Sequence, residues 1–291
     1  MTDYIIATAS TADLPAEYFK EHDIPLISYT YTVDNKLYVD DCREETRAAT
    51  YTAMRKGAMA STSMINSYAY HEFFKKLMDT GKDVIFLDMT RQISHSFISA
   101  GKAADQIHKE YPNQRFYLMD TLCVSGGLGM LVYYMVKLRE AGRSFDETIK
   151  WAEANKLKIA HWFTVDNLNY LKRGGRVSNA AALVGSLLSI KPVLYVSDEG
   201  KLVVASKVRS RKTALLYIIA RMKEDFTEPD GKEVFILHAD CMRDAEFMRK
   251  KVLEAFPTVS KVTIMSLGAV IGAHCGPGLL TIFYLGNKRY S

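Results

Sequence analysis

The sequence has few cysteines, and none of them are spaced like the ligands of a metal or redox site. The four lie at positions 42, 123, 241 and 275, so neither a zinc ribbon nor a CxxC redox motif is present. Free thiols are typical of a reducing compartment. No apolar run approaches the 18 residues of a membrane span, and the first residues lack the basic and apolar regions of a signal peptide. We therefore expect a cytoplasmic protein without a transmembrane segment.

Long basic runs are also absent, although the formal net charge is +5. Nucleic-acid binding requires a clustered basic stripe, so we expect no nucleic-acid partner. The positive balance leaves room for a local anion site, an acidic partner or peripheral membrane contact. With 291 residues, 48% of them hydrophobic, the chain is long enough for one large domain or two modest ones.

The first half alternates apolar strands with helices. Tyr4–Ala9, Asp83–Met89 and Arg115–Asp120 are predicted strands, and helices are predicted over Ser96–Tyr111 and Gly127–Glu140. This order predicts a mostly parallel sheet with helices on both faces.

The second half has a different pattern. Pro192–Val196 and Lys201–Lys207 flank a good turn sequence and predict a hairpin. Two further strands flank a helix over Arg243–Phe256, which together with the hairpin predicts a mixed sheet with helices. The fold class is therefore α/β. We place a boundary at residue 158, between an N-terminal α/β domain (1–158) and a C-terminal α/β domain (159–291).

Four short segments combine polar groups with features of a binding loop. Hydroxyls stand ahead of predicted helices at 60–63 and at 90–94, and helix N-termini favour anions. Such residues are also ordinary helix N-caps. His274 lies in VIGAHCGPG (270–278), a predicted turn whose glycines permit close approach, or it bonds a neighbouring carbonyl. Arg173 and Arg176 flank a glycine pair that is also a common helix stop.

The motifs, taken in order, resemble those of the DegV family of fatty-acid-binding proteins. The resemblance spans the whole chain and rests on eight segments: ATASTADLP (7–15), MRKGAMASTS (54–63), ISHSFISA (93–100), MDTLCVSGGLG (119–129), VDNLNYLKRGGRVS (165–178), LLSIKPVL (187–194), KVRSRKTA (207–214) and VIGAHCGPG (270–278).

The resemblance implies two α/β domains with a lipid between them. It implies a bound long-chain fatty acid, no other cofactor, and presentation of the acid to a separate kinase, with no catalytic residue of the chain's own. Motif positions place the carboxylate at Thr62, Ser63, Ser94 and His274. They place head-group or partner contacts at Arg173, Arg176 and Arg209. The apolar candidates for the tunnel wall are Ile93, Phe97, Ile98, Leu128, Met130, Leu183, Leu187, Leu188 and Phe283.

Three other functions remain open at this point. A serine hydrolase would use Ser94 or Ser63 with His274, although there is no GxSxG motif and no acidic third member stands out. A metal site would use the HADC segment (238–241) or His274 with Cys275. A nucleotide-binding kinase is disfavoured because no phosphate-binding glycine motif occurs.

Overall fold

The computed structural model describes residues 4–177 and 190–289, and its first half is built on a parallel sheet. Strands β1 (Tyr4–Ala9), β2 (Leu26–Ile27), β6 (Asp83–Asp88) and β7 (Phe116–Asp120) lie in the order β2-β1-β6-β7. All three neighbouring pairs are parallel. Strand β6 is buried along nearly its whole length, as a central parallel strand requires. The predicted mostly parallel sheet is confirmed.

A small antiparallel sheet accompanies the parallel one. It contains β3 (Thr30–Val33), β4 (Lys36–Val39) and β5 (Ala60–Ser63), in the order β4-β3-β5. Residues 60–63 stand ahead of the helix Ser67–Met78, as predicted, and the structure adds that they form an extended strand. In that strand Thr62 pairs with Tyr31 of β3.

The second half is built on a mixed sheet of six strands. Its order is β10-β9-β8-β13-β11-β12, and β11 and β12 are its one parallel pair. The strands are β8 (Ile159–Thr164), β9 (Lys191–Val196), β10 (Leu202–Val208), β11 (Glu233–His238), β12 (Lys261–Ser266) and β13 (Leu280–Leu285). The predicted hairpin is β9–β10, and the predicted mixed sheet is confirmed. The predicted domain boundary at 158 falls just before β8.

The helices of the described ranges pack against these sheets. They are α1 (Ala16–Glu21), α2 (Glu44–Arg55), α3 (Ser67–Met78), α4 (Ser96–Glu110), α5 (Gly126–Glu140), α6 (Phe145–Asn155), α7 (Leu168–Gly174), α8 (Arg211–Asp225), α9 (Met242–Ala255) and α10 (Ala269–Cys275). Within the described residues, no helix is both long and apolar enough to cross a membrane.

Helix α5 lies between the two halves and packs against β1 as well as β13. Nine of its residues are buried, and a helix that is apolar on most sides is typical of such an internal position. Gly127 allows the closest contact, because a Cβ there would overlap the ring of His161 on β8.

Helix α2 makes the main polar connections across the same interface. The Arg47 guanidinium donates to the carbonyls of Asp13, Leu14 and Ser266, at 2.8–3.2 Å. The Tyr51 hydroxyl donates to Leu267 O (2.9 Å), directly before α10. These bonds tie the start of α10 to the first half of the chain.

Candidate functional site

An apolar cavity of about 570 Å³ lies between the two halves. Ile93 and Val124 line it from the first half, and Phe163, Leu171 and Phe283 line it from the second. Side chains along β13 alternate between its two faces. Thr281 and Phe283 point to the cavity, whereas Leu280, Ile282 and Tyr284 pack into a separate core on the other face.

The polar groups along this wall are already hydrogen-bonded. His161 Nδ1 bonds Ile159 O (2.9 Å), and the Val124 N–H donates to His161 Nε2 (3.3 Å). Complete burial lowers the pKa of His161 well below its usual value, so the ring is neutral. The Ser125 hydroxyl donates to Asp13 Oδ2 (2.5 Å). Apart from Arg176, which also lines it, the cavity therefore presents an uncharged wall suited to a hydrocarbon chain.

A polar pocket of about 410 Å³ adjoins the apolar cavity, and Ile93, Ile271 and His274 line both. Thr62, Ser63 and Ser94 also line the polar pocket. The structure thus brings together all four residues that the motifs assign to a carboxylate. They come from β5, the loop after β6 and helix α10, which are distant in sequence.

His274 and Thr62 are in direct contact. Thr62 Oγ1 and His274 Nε2 share a hydrogen bond of 2.8 Å. Burial, together with the nearby charges of Arg176 and Arg173, lowers the pKa of His274 to about 4. The imidazole is therefore neutral at physiological pH, and it contributes a hydrogen bond rather than a charge.

The local setting of His274 differs from the prediction in secondary structure. Residues 270–278 were predicted to form a turn, but Ala269–Cys275 is helical and His274 lies in its last turn. The glycines still act through close approach. A Cβ at Gly272 would overlap the Tyr51 hydroxyl, and Gly276, with φ of 79°, ends the helix against Tyr170.

Ser94 lies in the loop between β6 and α4. Its Oγ accepts a hydrogen bond from the Ser96 N–H (3.2 Å), as in a helix-capping turn. This contact uses a lone pair of Ser94 and leaves its hydroxyl hydrogen for another acceptor. The capping interpretation and the ligand interpretation of Ser94 are therefore compatible.

The arginines lie around the pocket at different distances. Arg173 packs over the Tyr170 ring (4.8 Å), and Arg176 donates to the carbonyl of Gly174. Both are exposed and line an open depression of about 1120 Å³ that also reaches Thr62 and His274. Arg209 is exposed after β10 and lines none of the cavities described here.

Two of the predicted tunnel residues, Ile93 and Phe283, line the apolar cavity. Leu128 and Met130 are fully buried core residues of α5 that do not reach it. Ile98 is 53% exposed, because the first turn of α4 directs it to solvent. Phe97 is half-buried outside the cavity. The remaining predicted residues, Leu183, Leu187 and Leu188, lie outside the described residues.

Several lining residues were not predicted from the sequence. They include Phe163, Leu171, Ile271 and Leu279. The alternation of His161 with Phe163 on β8 was the available signal, because it places both on one face of the strand.

Within residues 4–177 and 190–289, the side chains do not assemble either a hydrolase triad or a metal site. His274 bonds Thr62 rather than a serine, and no carboxylate in residues 4–177 or 190–289 forms an ion pair or hydrogen bond with it, so the third member of a hydrolytic triad is missing. In the HADC segment, Asp240 pairs with Arg55 and the Cys241 thiol contacts Leu279 O. The described residues contain no cluster of three metal-ligating side chains.

The fold and the site together define an α/β protein with an apolar cavity that ends in a polar pocket, and Arg176 lines both spaces. The chain belongs to the DegV family, whose model matches residues 4–287. The resemblance found in the sequence motifs is thereby confirmed.

Individual relatives match over nearly the full length. A DegV domain-containing protein of Clostridium perfringens is 38% identical over 99% of both chains. The structure of a DegV family protein from Thermus thermophilus, described by its fatty acid binding, has a TM-score of 0.88 and 26% identity, over 98% of this chain and 99% of that one. A fatty acid binding DegV family protein from Streptococcus agalactiae has a TM-score of 0.85 and 27% identity, over 99% and 100%.

Proposed function

We propose that the protein binds one long-chain fatty acid, with its acyl chain in the apolar cavity and its carboxylate in the polar pocket. The observation that carries the proposal is the junction of the two spaces at Ile93, Ile271 and His274. The fatty acid binding described for the two solved relatives supports the same ligand class.

The acyl chain supplies most of the binding free energy in this proposal. Burial of a methylene group contributes roughly 0.8 kcal/mol, so a chain of about sixteen carbons offers on the order of 10 kcal/mol before the costs of association. The carboxylate then fixes the direction of the ligand at Thr62, Ser63, Ser94 and neutral His274. The His274 tautomer that donates its Nε2–H to Thr62 Oγ1 leaves the Thr62 hydrogen for the carboxylate.

We further propose that the protein presents the carboxylate to a separate kinase and performs no phosphoryl transfer itself. Arg173 and Arg176 support this, because they are exposed at an open depression that reaches Thr62 and His274. A bidentate arginine clamp would cover the carboxylate oxygens that must react, whereas neutral donors leave them accessible. The division into domains 1–158 and 159–291 is part of the same proposal, with the ligand at their junction.

Ligand binding is tested by mass spectrometry of lipids extracted from the purified protein and by titration of the delipidated protein with palmitic acid. Thr62→Val removes one head-group hydroxyl and the bond to His274. Thr32→Val is the matched control on the adjacent strand, since Thr32 bonds Ser61 outside the polar pocket. We expect about tenfold weaker binding for Thr62→Val alone. A parent protein that neither retains nor binds an acyl chain would refute the proposal.

Presentation is tested by acyl phosphate formation with a bacterial fatty acid kinase and ATP. Arg173→Gln is expected to retain palmitic acid and to lose most kinase-dependent turnover. Arg249→Gln, an exposed change on the remote helix α9, is the control and should leave turnover unchanged. Acyl phosphate formed without any kinase, or unchanged turnover with Arg173→Gln, would contradict this part of the proposal.

A further inference from the structure

Tyr29 has a buried hydroxyl group that the fold leaves without a partner. The residue lies between β2 and β3 and is 2% exposed. Within the described residues, its Oη is buried and makes no hydrogen bond. An unpaired buried hydroxyl is destabilising, and phenylalanine would fill the same space without that cost. The hydroxyl therefore requires an explanation.

The location of Tyr29 points to the polar pocket, because Tyr29 lines it together with Thr62, Ser94 and His274. The backbone of Tyr29 is held on both sides, since its N–H donates to Ser10 Oγ (3.1 Å) and its carbonyl accepts from the Asp40 N–H (2.9 Å). The ring is thus fixed beside the pocket by contacts that do not involve the hydroxyl.

The neighbouring hydroxyls already have other bonds. Ser94, Ser96 and Tyr70 lie near enough to affect the pKa of Tyr29, but none meets its hydroxyl with hydrogen-bond geometry. Tyr70 donates to Asp88 Oδ2 (2.6 Å), and Ser96 Oγ accepts from the Ile65 N–H (3.1 Å). Burial raises the pKa of Tyr29, so its hydroxyl keeps its hydrogen at neutral pH. It can therefore donate a hydrogen bond, but it has no acceptor among the described residues.

We propose that Tyr29 is a further residue of the carboxylate site and that its hydroxyl donates to a carboxylate oxygen of the bound fatty acid. The inference rests on the proposed function and adds a donor that no sequence motif indicated. Ligand binding then supplies the acceptor that the protein lacks. Like neutral His274, the phenol of Tyr29 adds a hydrogen bond without adding a positive charge.

The test compares Tyr29→Phe with Tyr31→Phe in the delipidated protein. Tyr31 is the matched control, because its buried hydroxyl already bonds Thr50 Oγ1 (3.1 Å) outside the polar pocket. The probes are palmitic acid and 1-hexadecanol, which share the chain but differ in the charge of the head group. We expect Tyr29→Phe to weaken palmitic acid binding about tenfold and to change hexadecanol binding less than twofold. Tyr31→Phe should change neither.

Two results would overturn the inference. One is unchanged palmitic acid affinity in Tyr29→Phe, and the other is an equal loss for both probes, which would indicate altered packing. Binding of neither probe by the parent protein would instead overturn the proposed function, and this inference with it.

A second measurement separates a ligand contact from a structural role. Because the hydroxyl has no partner in the ligand-free protein, lipid-free Tyr29→Phe should have a Tm at least equal to that of the parent. It should also gain less Tm on addition of palmitic acid. A lower Tm of the lipid-free variant would contradict the inference.

A double variant tests whether the contact is direct. Ser94 and Tyr29 each donate to the carboxylate in this proposal, so Tyr29→Phe should still weaken palmitic acid binding in a Ser94→Ala background, although two donors to one carboxylate are coupled and their losses need not add. Disappearance of the effect there would show that Tyr29 acts only by orienting Ser94, and direct donation would be wrong.

Discussion

The buried guanidinium of Arg47 offers a sharp test of how the two halves are held together. Arg47 is 2% exposed, and it donates to three backbone carbonyls that come from residues 13, 14 and 266. Arg47→Met keeps most of the apolar stem and removes every one of these donors. Each carbonyl left unpaired costs about 1–3 kcal/mol, and the nearby buried carboxyl groups of Asp13 and Asp40 lose their counter-charge.

Removal of one partner from a buried ionic group typically costs about 3–5 kcal/mol, and we expect Arg47→Met to lower the free energy of unfolding by this amount. Arg55→Met is the matched control from the same helix. Arg55 also spans the two halves through Asp240, but both side chains are about half exposed, so its loss should cost less than about 1 kcal/mol. The assay is urea unfolding of the lipid-free proteins, followed by circular dichroism.

The reasoning would be refuted if the two variants lost similar amounts of stability. That result would mean that desolvation of the Arg47 guanidinium cancels the energy of its hydrogen bonds, and that other contacts join the halves.

Three further predictions concern the ligand and the fold. Shortening the fatty acid by two methylenes should weaken binding slightly more than tenfold, and calorimetric titrations giving equal affinities for twelve and sixteen carbons would contradict a tail-driven site. Gly272→Ala should lower the free energy of unfolding by about 1–3 kcal/mol, because its methyl group would overlap Tyr51, whereas Gly101→Ala, with open space around it, should not be destabilising. Burial raises the pKa of Asp88 from 3.8 to about 7; the folded state therefore retains a proton that the unfolded chain loses, and stability falls as pH rises between about 4 and 7. Asp88→Asn should remove this decline, by up to about 1.4 kcal/mol per pH unit, and unfolding curves with an unchanged pH dependence would refute the assignment.

The parallel sheet could be predicted because its strands carry a strong local signal. Strand β6 is a continuous apolar run, and such a run needs burial on both faces. Strand β5, with the sequence ASTS, has no apolar alternation and forms only because β3 pairs with it. Helix α10 could not be predicted from its sequence, because glycine lowers helix propensity. The close contact that requires Gly272 beside Tyr51 is visible only in three dimensions.

The polar pocket could be predicted from the sequence better than the wall of the apolar cavity. Thr62, Ser94 and His274 were found through family motifs, and the structure brings them into one pocket, although their role as carboxylate ligands stays a prediction. The cavity wall was harder, because core and cavity residues are equally apolar. Nothing in the sequence distinguishes Leu128, which is in the core, from Phe283, which lines the cavity.

The hydrogen bond between Thr62 and His274 also has a consequence for synthesis of the protein. Its two partners are 212 residues apart in the chain, and β13, which forms part of the cavity wall, follows the second partner. A ribosome-bound chain therefore cannot complete the proposed lipid site until β13 has emerged. Under the proposed function, acyl chains are captured only after that point, and truncated products that end before α10 are expected to carry none.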